Sequence, residues 1–152
     1  YRRFGYGTSA FSEGWALYAE RLALEVGLAE NPYDELGILQ SELFRSVRLV
    51  VDTGMHYKRW TREEAMDYMK SITGMSDTEV RVEIERYTVW PGQALSYKVG
   101  MIKMLELREK AKQELGDQFN IKDFHSAVLD HGNPPLFIVE KMVDKMIKDA
   151  LN

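Results

Sequence analysis

Hydrophobic residues in this chain recur at intervals of three and four, the spacing of one face of an α-helix. The segment from 11 to 27 reads as a first helix, with Ser9 or Ser12 as its N-cap and Gly27 as its stop. A second opens after Asn31-Pro32, since proline is tolerated in a first helical turn. It carries Leu36, Leu39, Leu43, Val47 and Val50 at helical spacing and runs to about Gly54. Thr61-Arg62-Glu63-Glu64 and Ser76-Asp77-Thr78-Glu79 have the form of capping boxes. Each opens a short helix, the first ending near Gly74 and the second near Tyr87. Pro91-Gly92 breaks the chain. A long helix from 92 to 115 then stops at Gly116, and a shorter one from 122 to 131 stops at Gly132. Asn133-Pro134-Pro135 starts the last. No segment sustains the period-two alternation of a strand; residues 80 to 84 alternate, but they lie just behind a capping box. The pattern predicts an all-α chain of about seven helices in an irregular bundle, with residues 1–152 forming one helical domain.

Composition narrows the function classes. The chain is 45% hydrophobic and 29% charged, enough apolar material for a core. Its net charge is −4, and Lys and Arg are scattered, often one turn from Asp or Glu. Without a basic stripe, nucleic acid is not an expected partner. The absence of cysteine excludes disulfides and thiolate zinc sites. No apolar run approaches the roughly 20 residues of a membrane-spanning helix. The chain opens at Tyr1, and Tyr1-Arg2-Arg3-Phe4-Gly5-Tyr6-Gly7 leads directly into a helix. The expectation is a fragment whose natural N-terminus lies upstream, so the lack of a signal peptide carries no information.

Three stretches carry chemistry. In Ser12-Glu13-Gly14-Trp15-Ala16-Leu17-Tyr18-Ala19-Glu20, a helix puts Glu13 on one face with Leu17, Glu20 and Leu24, beside a glycine that permits close approach of another backbone. A carboxylate on so apolar a face is costly unless paired or bound to a cation; the alternative is a helix-start acid favoured by the macrodipole. After Pro91-Gly92, Gln93, Tyr97 and Gly100 share a helical face, with small Ala94, Ser96 and Gly100 leaving room. A tyrosine hydroxyl so placed can donate to a developing oxyanion, and the alternative is a packing tyrosine. Asp52 and His56 stand i, i+4 and would touch if the helix persists past Gly54, the aspartate fixing the imidazole tautomer; otherwise His56 is a surface cap. His125 and His131 are six apart, not at the spacing of a zinc-binding H-E-x-x-H helix.

Taken together, residues 13–22, 48–56 with Trp60, 86–100, and Phe124-His125 with Gly132 and Pro135-Leu136 resemble, in order, the C-terminal half of the bacterial family called domain of unknown function 885. That family is similar to the gluzincin zinc peptidases, which have a helical fold, an H-E-x-x-H helix and a downstream glutamate as third protein ligand. The resemblance implies that Glu13, in Glu-Gly-Trp-Ala, is the third zinc ligand. It implies that Tyr97, in Pro-Gly-Gln-Ala-Leu-Ser-Tyr, is the tyrosine held against the tetrahedral intermediate. Tyr87 lies where some relatives carry a histidine, and is a second catalytic candidate. Gln93, His56 and Arg86 are candidates for substrate binding. One departure stands out: the chain contains no H-E-x-x-H. Two imidazoles and the general-base glutamate would come from a missing N-terminal half, leaving this part inactive alone and without tight zinc binding. The substrate would be peptide-like, and the compartment stays open between bacterial periplasm, cell envelope and cytoplasm.

Two alternatives compete: a helical interaction or scaffold module with no catalytic role, and a relative that has lost its metal site. The eight methionines suit either an adaptable binding groove or a core with gaps to fill. Convergence of Glu13 and Tyr97 on one cleft favours hydrolysis, and wide separation favours the scaffold. A face that packs on a missing half would expose apolar groups, so self-association of the isolated chain is also expected.

Overall fold

The computed structural model describes residues 9–152; the approach from Tyr1 to Gly7 lies outside the described residues. The chain is all-α, as its periodicity predicts. Seven α-helices follow one another among the described residues: α1 (Ser9–Glu25), α2 (Pro32–His56), α3 (Arg62–Thr73), α4 (Asp77–Val89), α5 (Ser96–Leu115), α6 (Ile121–Leu129) and α7 (Leu136–Ala150). Short 3-10 turns, Gln93–Leu95 and Gly116–Gln118, sit at either end of α5.

Local chemistry sets the helix ends. At the end of α1, Gly27 takes a φ of 75°, which lets its own N–H donate to the Leu24 carbonyl (3.1 Å) and that of Leu28 to Ala23 (2.9 Å). This paired closure suits glycine because a side chain would strain the left-handed backbone. The Asn31 side chain accepts from the N–H groups of Tyr33 and Asp34 at the start of α2. Both capping boxes form reciprocally, Thr61 with Glu64 and Ser76 with Glu79. Replacing such a cap typically costs about 1 kcal/mol.

The boundaries differ from the sequence pattern in three places. Ser9 and Ala10 are already helical, so Ser12 lies inside α1 and donates to the Ser9 carbonyl. Gly54 does not end α2, which continues to His56. The indole of Trp60 lies on Gly54, where a Cβ would overlap the ring. Finally, the expected helix from 92 is a 3-10 turn followed by α5.

Two apolar cores result. Leu17 and Tyr18 of α1 pack with Met101 and Met104 of α5, Phe124 of α6 and Val143 of α7. The two methionines are fully buried and act as core filler. The second core joins Val47 and Val51 of α2 to Met69 of α3, Ile84 and Tyr87 of α4, and Ala94. Each such fully buried side chain contributes about 1.5–3 kcal/mol relative to exposure.

Helices α1 and α5 run parallel in direct backbone contact. A Cβ on Gly14 would overlap the backbone of Gly100, and one on Gly100 would overlap the Ala10 carbonyl. The Ser9 and Ser96 hydroxyls meet at 2.7 Å at one end of this pair, and Arg108 reaches Glu25 at 2.6 Å at the other. Helix α2 runs antiparallel to both. Ser41 donates to Glu20 of α1 (2.8 Å), while Glu42 accepts from Arg21 of α1 (3.3 Å) and Lys98 of α5 (2.6 Å). Of the apolar series on α2, only Val47 is buried; Leu36, Leu39, Leu43 and Val50 are between 40% and 52% exposed. Among the described residues, no helix is long and apolar enough to cross a membrane.

Candidate functional site

Glu13 sits in the second turn of α1, half-buried, next to the point where Gly14 meets Gly100. Among the described residues its carboxylate has no hydrogen bond or ion pair. The parallel register of α1 and α5 puts Glu13 at the level of Tyr97, since their chain neighbours touch: Ser9 with Ser96, and Gly14 with Gly100. The antiparallel register with α2 adds Arg48. Seven residues back from Glu20 is Glu13, and seven on from its partner Ser41 is Arg48.

Tyr97 is half-buried in the first turn of α5. The guanidinium of Arg48 stands 4.5 Å from the centre of its ring, and that of Arg45 stands 5.7 Å away. Its hydroxyl is unengaged among the described residues. Arg48 is only 3% exposed; it donates through Nη2 to Gln93 Oε1 at 3.0 Å and also lies over Phe44 and Tyr87. Both oxygens of buried Asp52 accept from the Gly92 N–H, at 3.1 and 3.2 Å, which pins the Pro91-Gly92 break against α2. This contact orients Gln93 and the start of α5.

The other candidates are engaged elsewhere. The hydroxyl of Tyr87 donates to Glu83 Oε2 at 2.6 Å, and burial, reinforced by Glu83, pushes the phenol's pKa upward. Arg86 is exposed and paired with the same Glu83 at 2.7 Å. The Asp52–His56 pair does not form, although α2 persists through both residues. His56 instead donates through Nε2 to the Tyr87 carbonyl at 3.0 Å, and Asp52 turns to Gly92. The structure thus brings Tyr97, Gln93 and the ring of Tyr87 together around Arg48, puts Glu13 on the same level, and leaves Arg86 and His56 at the surface.

A second polar cluster lies further along the α1–α5 pair. Tyr18, fully buried, hydrogen-bonds His125 Nε2 at 2.9 Å, and Trp15 meets the imidazole edge-on at 5.3 Å. Burial raises the Tyr18 phenol and lowers His125, the latter assisted by the Arg108 charge. The contact thus joins a neutral phenol and a neutral imidazole, and the imidazole tautomer decides which of them donates. Trp15 and Tyr18, which stand in the same stretch as Glu13, seat α6 against α1.

Sequence reasoning passed over Arg45 and Arg48. The signal was present: Phe44, Arg48, Val51 and Met55 recur at helical spacing, so a cation stands in the middle of an apolar face. For a metal, Glu13 offers an unengaged anionic oxygen donor, but no group of three or more His, Cys, Asp or Glu able to hold an ion exists among the described residues. The described part fits a metal only as the source of one ligand.

A family model described as "Bacterial protein of unknown function (DUF885)" matches residues 1–143. Two solved structures are similar, each described as a "putative lipoprotein". The one from Colwellia psychrerythraea is 54% identical with a TM-score of 0.90, covering 93% of this chain and 24% of its own. The one from Shewanella oneidensis, "of unknown function", is 30% identical with a TM-score of 0.84, covering 90% and 25%. The chain therefore spans about a quarter of the length of these solved relatives. No curated protein matches.

Proposed function

The chain belongs to the bacterial DUF885 family, and from that premise we propose that it is the C-terminal part of a zinc-dependent hydrolase of peptide-like amides, inactive by itself. The observation that carries this reading is Glu13: a half-buried carboxylate with no partner among the described residues, level with an unengaged tyrosine hydroxyl. Burying a charge without compensation is unfavourable. A cation delivered by the rest of a longer polypeptide supplies the compensation.

In this reading Glu13 provides one protein ligand, and two imidazoles and the general-base carboxylate come from upstream sequence. When bound, zinc supplies Lewis-acid polarisation of the scissile carbonyl and a more acidic water. The residues of this chain do the rest. Tyr97 donates its hydroxyl hydrogen to the oxygen that gains charge, and the adjacent guanidinium groups favour the same charge. One such donor is typically worth about 2.7–4 kcal/mol. Gln93, Asp52 and the Gly92 N–H hold the first turn of α5 in place, so the tyrosine is aimed before substrate arrives. Tyr87 supports from beneath Arg48. The lipoprotein description of both solved relatives favours the cell envelope as the place of action.

The test is zinc content of the full-length protein beside its Glu13→Gln variant. About one zinc in the parent and a clear loss in the variant supports the assignment. No zinc in the parent, or equal content in both, removes it and leaves the helical scaffold or a lapsed enzyme.

A further inference from the structure

We propose that Arg45 and Arg48 form a receptor for a substrate carboxylate beside Tyr97, so that the hydrolase acts on peptides with a free C-terminus and releases one or two residues. The carboxylate site rests on geometry alone; calling its ligand a peptide terminus rests on the hydrolase reading above.

The two arginines stand one turn apart on α2, and neither has a carboxylate within ion-pair distance among the described residues. Arg108, whose side chain is 14% exposed, shows the usual arrangement and pairs with Glu25 at 2.6 Å. Around Arg45 and Arg48 the acids are engaged elsewhere. Asp52 holds Gly92, Glu20 accepts from Ser41, Glu42 takes Lys98 and Arg21, and Glu83 takes Arg86 and Tyr87. Glu13, level with Arg48, also stands outside ion-pair distance. Aromatic faces hold the cations instead: Phe44 lies 5.4 Å from Arg45 and 5.5 Å from Arg48, and Tyr97 lies under both. Stacking stabilises a guanidinium without consuming its N–H donors.

Those donors remain available. Among the described residues the Nε of each arginine is shielded from solvent and has no partner, as is also true of Arg108. Among the described residues Arg45 donates only from Nη1, to Ser41, and Arg48 only from Nη2, to Gln93. A guanidinium carries five donors in a planar fork that matches a carboxylate's two oxygens. Arg45, with Ser41 and Phe44, lines a groove of about 440 Å³ between α2 and the end of α3; an anion entering there meets Arg45 first, while Arg48 and Tyr97 are not part of its walls. Since both guanidinium groups rest against the ring of Tyr97, the anion lies within about two residues' length of the oxygen that Tyr97 serves, at about 3.5 Å per residue. Cleavage then falls one or two residues from the terminus.

Calorimetry on the full-length protein, with N-acetyl-alanyl-alanine against its C-terminal amide, tests the site. The acid is expected to bind about thirtyfold or more tighter. Arg48→Met should abolish the difference and Arg45→Met should reduce it, with zinc content unchanged in both. Equal affinity for acid and amide, no binding of either, or a preference that survives both substitutions overturns the proposal. The wild-type comparison stands even if a variant fails to fold. A clear acid preference in a protein that holds no zinc keeps the carboxylate site and removes the hydrolase reading; zinc that depends on Glu13 without acid preference does the reverse.

Discussion

At the scale of single residues, the two tyrosines of the 86–100 stretch separate by what their hydroxyls touch. Among the described residues the hydroxyl of Tyr97 has no partner, whereas that of Tyr87 is held by Glu83. If the full-length protein hydrolyses amides as proposed, Tyr97→Phe should therefore lower turnover by roughly a hundredfold to a thousandfold while the unfolding midpoint stays in place. Tyr87→Phe keeps the ring beneath Arg48 and should cost about 1.5 kcal/mol of stability, read from urea unfolding, with a smaller effect on turnover. A reversed pattern would exchange their roles. His125 supports a pH prediction. Its folded pKa lies below the ordinary 6.5, so the unfolded chain takes up the proton first. Its contribution is present above that value and lost as pH falls through the folded pKa. Urea midpoints should drop between pH 7.5 and 5.5, and His125→Gln should flatten the drop; Glu25, whose pKa the Arg108 hydrogen bond lowers, loses its contribution only in more acid solution. Glu13 and Tyr97 were legible as candidates because an acid on a largely apolar face and a tyrosine among small residues are locally unusual. Arg45 and Arg48 were not, because arginines on a helix ordinarily read as a solvated face, and only the packing of Phe44 and Tyr97 shows that these are enclosed.

At the scale of elements, the helices and most of their ends follow from short-range chemistry. Asn31 before Pro32, the two capping boxes and Gly27 act within one turn, so sequence alone predicts them. The errors arise where a distant contact decides. Gly54 looks like a stop but is a gap for the Trp60 ring, and the long helix is shortened because Asp52 clamps Gly92. The α1–α5 crossing is likewise a long-range matter, and nothing in either segment names its partner. It also gives the sharpest element-level prediction. Gly100→Ala sets a methyl group against the Ala10 carbonyl and the Gly14 backbone, and neither can yield as a flexible side chain would. The expected loss is about 1–3 kcal/mol in urea unfolding. Because the wedge opens next to Glu13, zinc content of the full-length protein should fall with it; normal zinc binding would show that Glu13 does not depend on this contact.

At the scale of the whole molecule, the described residues form two apolar cores and leave an apolar series on α2 uncovered. Leu36, Leu39, Leu43 and Val50 follow a spacing that sequence reading assigns to a packed helix, yet they are exposed. A partner surface would account for this spacing, and relatives four times as long have ample chain to provide one. The isolated chain is expected to associate through this face, with a concentration-dependent shift in size-exclusion chromatography, and to show neither peptidase activity nor tight zinc binding. A strict monomer at high concentration counts against the first, and tight zinc binding by residues 1–152 against the second.

The backbone contact between α1 and α5 has a further consequence, for the order in which the chain acquires its shape. Ser9 and Ser96 lie 87 positions apart, so joining them closes a loop that contains all of α2, α3 and α4. The second core, drawn from residues 47 to 94, needs only shorter closures and can assemble first. During synthesis α1 leaves the ribosome with Phe11, Leu17 and Tyr18 unshielded, and it must wait for α5 to emerge before they are covered. Glu13 reaches its place only with that late docking, so a truncated or stalled polypeptide lacking α5 carries the carboxylate but not the site.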